Sequence, residues 1–228
     1  LFVRLIDSDP MTTAFWRGLV GGSFIFFVLI FLKGIYVFKP VLKSGYPGVI
    51  YIFLIGSTTP AFVLAVTHTS VANVVFIFAS IPIFSIIFSF IFIGEKILLS
   101  TFITSFIVII GLTIIAYGSQ TSEISSWKGD MWAIYVSAAY AGALTSLRKL
   151  KEISMVPTVP VAFLGSALII SIFHFPFEDF NEKFILFLSH GFFIGVASWL
   201  LTLGPRYLSS PEVSLLILVE TVFAPILV

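Results

Sequence analysis

Apolar residues along the chain gather into long runs separated by short polar stretches. The runs cover 13–32, 48–67, 74–93, 101–117, 131–147, 157–175, 184–203 and 213–228. Most have the roughly 17–25 residues that a helix needs to cross a bilayer. Apolar and polar positions do not alternate cleanly inside them, which argues against a membrane β-barrel. The pattern predicts an all-α polytopic membrane protein. The opening "LFVRLI" reads as the outer end of a further helix, and the last run continues to the final residue. The expectation is therefore a fragment, lacking most of a first helix and everything after position 228.

Charge sorts the connections into two alternating sets. Segments 33–47, 94–100, 148–156 and 204–212 hold Lys33, Lys39, Lys43, Lys96, Arg148, Lys149, Lys151 and Arg206. The alternate segments, 1–12, 68–73, 118–130 and 176–183, hold only Arg4, Lys128 and Lys183, with most of the acids. Basic loops stay on the cytoplasmic side. The first set is thus expected inside, residues 1–12 outside, and both termini of a complete chain in the cytoplasm.

Composition narrows the function classes. The chain is 59% hydrophobic and 10% charged, against about 45–50% and 25% for a soluble domain. With no cysteine, disulfides, thiolate catalysis and cysteine metal sites are excluded. No basic stripe exists, so nucleic acid is not an expected partner.

An internal similarity accompanies the topology. "SVANVVFIFASIPIF" (70–84) and "SSPEVSLLILVETVF" (209–223) align at an offset of 139, matching Ser70 with Ser209, Val74 with Val213 and Phe84 with Phe223. The two segments run in opposite directions through the membrane. A repeat of five helices must invert in this way, and inverted repeats are typical of secondary carriers with a substrate site near the midplane.

The stretches "TTAFWRG", "ANVVFIFASIPIFSIIFSFIFIGEKI", "WKGDMWAIYVSAAYAGALTSLRK" and "VSLLILVETVFAP" resemble EamA-type members of the drug/metabolite transporter superfamily. The likeness follows family order along the whole chain; Thr221 stands where the family often has proline. The resemblance implies a ten-helix bundle of two inverted five-helix repeats, here 1–117 and 118–228, truncated in the first helix and after the ninth. It also implies export or exchange of small metabolites, often amino acids. The expected location is a bacterial inner (plasma) membrane.

One acid lies deep in an apolar run. Glu220 is nine residues past Pro211, roughly 14 Å along a helix and near the middle of a roughly 30 Å hydrocarbon layer. A charge there costs about 2.5–3.5 kcal/mol and usually faces a bundle interior or water. Glu220 is read as a substrate-amine or proton site, or as a protonated carboxyl holding helices together. Ser214 and Thr221 share a helix face, as Asn73 and Ser80 do in the matching segment. They are cavity-lining candidates, with helix packing as the plainer reading.

Further pathway candidates are Arg17, which pairs with an acid or snorkels outward, and the aromatic residues Tyr140 and Trp199. "GSTTP" (56–60) places Thr59 before Pro60 at mid-depth, where a simple kink is expected, with local unwinding that lines the cavity as the alternative. Pro60, Pro82 and Pro225 are the helix-break candidates. Glu95, after Gly94, reads as a helix-end charge in water, with gating as the lesser reading. The pairs Gly18/Gly22 and Gly191/Gly195 favour close contact within the bundle. His68, His174 and His190 lack metal-ligand spacing, so neither a metal site nor a cofactor is expected.

The leading expectation is a secondary transporter of a small metabolite working by alternating access. It carries no P-loop, so a gradient of substrate or protons must drive it. The alternatives are a non-transporting membrane subunit or receptor, and a membrane-embedded enzyme. An enzyme would need paired acids, clustered histidines or a serine motif that the sequence lacks. The expected partners are the lipid bilayer, the small-molecule substrate and protons, with a homodimer as a further option.

Overall fold

The computed structural model describes residues 2–96, 98–118, 126–176 and 180–227, with side chains described at all of these except 108, 112, 114–118 and 220–227. Among the described residues the secondary structure is helical, without strands. A short α1 (Phe2–Ile6) precedes α2 (Pro10–Lys33), and α3 (Lys39–Lys43) leads into α4 (Gly45–His68). Then come α5 (Val71–Phe78), α6 (Ile81–Phe88) with a π-helical extension over Ser89–Ile93, and α7 (Leu99–Gly118). The remaining helices are α8 (Trp127–Lys149), α9 (Thr158–Phe173), α10 (Phe180–Leu203) and α11 (Ser210–Leu227).

Local chemistry fixes several of these ends. Asp9 caps α2, its carboxylate accepting from Met11 N at 2.8 Å and Thr12 N at 3.0 Å, and Pro10 occupies the first turn. α8 begins at a Ser126 cap with Asp130 in its first turn and closes on Arg148 and Lys149, an order that matches the helix dipole. The spans α2, α4, α5–α6 with its extension, and α10 are long and apolar enough to cross a membrane. α9 has 16 residues and rises about 24 Å, short of the roughly 30 Å hydrocarbon layer. Its N-terminus is nevertheless buried at Thr158 and Val159.

Helices pack in a recurring pattern. α8 lies along α4 and also touches α5 and α6, while the short α1 rests on α10 and reaches α4. α2 packs on both α9 and α10, α4 packs on α9, and α6 packs on α11. Two apolar clusters fill the bundle. One, at the end bearing the basic loops, gathers Ile25, Tyr51, Leu147, Val156 and Phe163. The other, at the opposite or acidic end, gathers Phe15, Trp16, Val63, Val74 and Phe187.

Missing side chains set the closest approach. A Cβ on Gly21 would stand 2.8 Å from the Gly191 carbonyl, and one on Gly18 would stand 2.8 Å from that of Phe163. Gly21 thus lets α2 lie backbone-to-backbone on α10. The Gly18/Gly22 and Gly191/Gly195 pairs are used inside the bundle.

Two prolines behave differently from one another. α4 runs unbroken through Pro60, which corrects Pro60 as a helix-break candidate, and the alternative of unwinding over 56–60 is not met. Ser57 and Thr58 donate their hydroxyls to the Leu54 and Ile55 carbonyls at 2.8 and 2.7 Å, while the carbonyl that loses its helical N–H to Pro60 is that of Gly56. The following span does break, at Ala79–Ser80. Ser80 donates to the Ile77 carbonyl at 2.6 Å, and Pro82 sits in the first turn of α6, where its missing N–H costs little.

Candidate functional site

At the basic end, Gly94 takes a left-handed φ of 70° and stops the π extension of α6. The next residue, Glu95, accepts a hydrogen bond from Arg148 Nε at 2.6 Å, and both side chains are about four-fifths buried, at 24% and 19% exposure. This corrects the expectation of a helix-end charge in water. Arg148 also donates through Nη1 to the Pro205 carbonyl at 3.1 Å. One guanidinium therefore joins the ends of α6 and α8 to the α10–α11 connection.

A cavity of about 300 Å³ opens beside this junction, lined by Ser89, Glu95, Arg148, Pro211 and Glu212 among others. Ser209 donates its backbone N–H at 2.8 Å and its hydroxyl at 2.7 Å to Glu212 at the loop-side start of α11. These two bonds hold the Glu212 carboxyl below the usual carboxylate range. The arrangement supplies orphan donors at a helix start, as a capping box does.

Near that cavity, α6 with its extension and the helix packed on it, α11, each carry buried serines. Ser85, Ser89, Ser210 and Ser214 are all buried, at 0–1% exposure. Ser214 donates to the Pro211 carbonyl at 2.7 Å, whereas Ser85, Ser89 and Ser210 hydroxyls have no hydrogen-bond partner among the described residues. Ser85 and Ser89 are one turn apart and so share a face. Buried hydroxyls left without partners in an apolar bundle are costly, and they mark this seam as suited to a polar guest. The sequence signal for them, serine one turn apart within "IFSIIFSF", is indistinguishable from ordinary membrane-helix packing.

The acidic end has its own ties. Arg4, just inside the end of α1, donates to the Val66 carbonyl at 2.8 Å and the Thr69 carbonyl at 3.2 Å. Thr69 donates to Asp130 at 2.9 Å and accepts from Asn73 Nδ2 at 3.2 Å. Asn73 thus belongs to an end network, away from mid-depth.

The other expected residues are dispersed. Arg17 is buried and stacks over the Phe62 ring at 4.7 Å, so it does not snorkel. Thr59 is buried and its hydroxyl has no hydrogen-bond partner among the described residues. Tyr140 and Trp199 both pack on the cluster around Tyr51 and Phe163. Beside them, the Tyr51 hydroxyl donates to Thr202 at 3.0 Å and ties α4 to α10, a contact not read from the sequence. α11 continues as helix past positions 220, 221 and 225, but the side chains of Glu220, Thr221 and Pro225 lie outside the described residues.

An apolar helical bundle of this kind, with membrane-length spans and charge confined largely to the connections, defines a polytopic α-helical membrane protein. Residues 2–117 match the EamA-like transporter family, and the chain belongs to that family. Comparison with curated proteins gave no match. The family is one of transporters rather than enzymes.

Proposed function

We propose that the protein is a secondary carrier that moves a small metabolite by alternating access, built from inverted halves at 1–117 and 118–228. The observation that carries this reading is a pair of arginine clasps at opposite ends. Arg4 ends the first helical element of one half and donates to the carbonyl of Val66, before the α4–α5 connection. Arg148 ends the first helix of the other half and donates to the carbonyl of Pro205, in the α10–α11 connection. Val66 and Pro205 are related by the 139-residue offset that also relates Ser70 to Ser209.

The packing pattern supports the same symmetry. Exchanging equivalent helices turns the α2–α10 contact into α9–α4 and the α8–α4 contact into α1–α10, and each of these contacts exists. α2–α9 and α6–α11 exchange into themselves. The first helix of each half therefore rests on the third helix of the other. Rocking of the α4–α6–α8 group against the α1–α10–α11 group would release one arginine clasp while keeping the other.

The transport route on this reading follows the α6–α11 seam past Ser85 and Ser89 to the level of Glu220. Glu220, placed near mid-depth by its count from Pro211, takes up a proton or meets a substrate amine. The direction is export, from a bacterial inner membrane with the basic loops cytoplasmic. The test is reconstitution in proteoliposomes with efflux of a pooled metabolite set, comparing wild type with Glu220→Gln at two internal pH values. Loss of both rate and pH dependence is expected. An unchanged variant makes Glu220 a structural hydrogen-bonder, and absence of movement with every cargo overturns the carrier reading.

A further inference from the structure

A second cavity, about 510 Å³ against about 300 Å³, is not on the seam. It lies along one face of α8, between the basic-end half of α4 and the final turns of α6 with its π extension. All three walls belong to one packed group of helices, so the cavity is a groove in that group. Its sides are Ile50, Leu54, Phe88, Ile91 and Phe92. Ile50, Ile91 and Phe92 are 43%, 63% and 63% exposed, so the groove opens sideways toward whatever surrounds the bundle. In a membrane protein that surrounding is hydrocarbon.

The groove has a polar end. Lys149 stands over the Tyr46 ring at 4.9 Å and donates to its hydroxyl, and both residues line the groove where α8 ends and α4 begins. An ammonium has three N–H donors, and this contact uses one. Because the Tyr46 oxygen accepts from Lys149, its own O–H is available to donate outward. Among the described lining residues there is no carboxylate. The hydroxyls of Tyr135 and Ser57, farther in, bond to each other at 2.6 Å and ask nothing of a guest. From Lys149 to Tyr135 the groove follows α8 for about 21 Å, more than the roughly 15 Å of one leaflet's hydrocarbon.

We propose that this groove holds an anionic phospholipid, with one acyl chain along α8 and the phosphate on Lys149 and Tyr46. Charge complementarity selects the headgroup, and the sideways opening and length select a chain over a compact solute. A zwitterionic lipid would fill the groove equally well but would bring its own cation beside Lys149.

The test is native mass spectrometry of the full chain in detergent, titrated separately with phosphatidylglycerol and with phosphatidylcholine of identical acyl chains. Phosphatidylglycerol should bind about fivefold more tightly, the preference one surface lysine supplies. Lys149→Gln should erase that preference, Lys149→Arg should keep it, and Lys128→Gln at the opposite end should leave it unchanged. Ala138→Phe, which fills the groove, should weaken both lipids. Equal binding of the two lipids by wild type, or a preference that survives Lys149→Gln, overturns the proposal. Displacement of bound phosphatidylglycerol by glycerol 3-phosphate also overturns it, because the site would then be one for soluble phosphates.

Discussion

Val66 and Pro205 each offer a backbone carbonyl to an arginine, Arg4 at 2.8 Å and Arg148 at 3.1 Å, at opposite ends of the bundle. Only the Arg148 clasp is shared with a carboxylate among the described residues, Glu95 at 2.6 Å. That asymmetry sets different strengths for substitutions around it.

Arg148→Ala removes the partner of a largely buried Glu95 and frees the Pro205 carbonyl. It should lower stability by about 1–3 kcal/mol, between the values for exposed and fully buried pairs. Glu95→Gln should cost less, because Arg148 keeps Pro205. Denaturant unfolding in detergent of both variants checks the order, and a larger loss for Glu95→Gln would contradict it.

The Tyr51–Thr202 bond predicts another asymmetry. Thr202 already donates to the Ser198 carbonyl at 2.6 Å, so Tyr51 is the donor in the pair. Tyr51→Phe leaves Thr202 satisfied and should cost about 0.5–1.5 kcal/mol. Thr202→Val strands the buried Tyr51 hydroxyl and should cost about 1–3 kcal/mol. Equal losses in a double-mutant cycle would remove the hydrogen bond as their cause.

Gly21 faces backbone, and no rotamer change can make room there. Gly21→Val should force α2 from α10 and destabilise by about 1–3 kcal/mol or more. Gly165, also in a helix, has nothing within 4 Å of an added Cβ. Gly165→Ala should therefore be neutral or stabilising by up to about 1 kcal/mol. Thermal unfolding of the two variants side by side separates packing from helix propensity.

Much of the helical framework was legible because long apolar runs and loop charges are local signals. The break near Pro82 was legible too, whereas Pro60 misled: α4 continues through it while packed on α2, α8 and α9, and that packing is a product of the fold. The clasps escaped for a related reason. A carbonyl acceptor such as Val66 or Pro205 carries no side-chain signature, so Arg4 and Arg148 read only as loop charges. Ser85 and Ser89 were hidden in an apolar run where serine is unremarkable. Ser214 and Asn73, chosen for shared helix faces, turned out to bond near their own helix ends.

The central claim is that the two clasps close opposite ends of one rocking bundle. The sequence contains no cysteine, so spin labels can be introduced in pairs without removing native thiols. Leu42 and Tyr207 report on the basic end and Trp127 and Ile185 on the acidic end, all exposed by two thirds or more of their surface. Electron–electron distance measurements on the full chain should find Arg148→Gln lengthening the Leu42–Tyr207 distance while Trp127–Ile185 stays or shortens, and Arg4→Gln doing the reverse. Lengthening of both pairs together in either variant, or of neither pair in both, would contradict it.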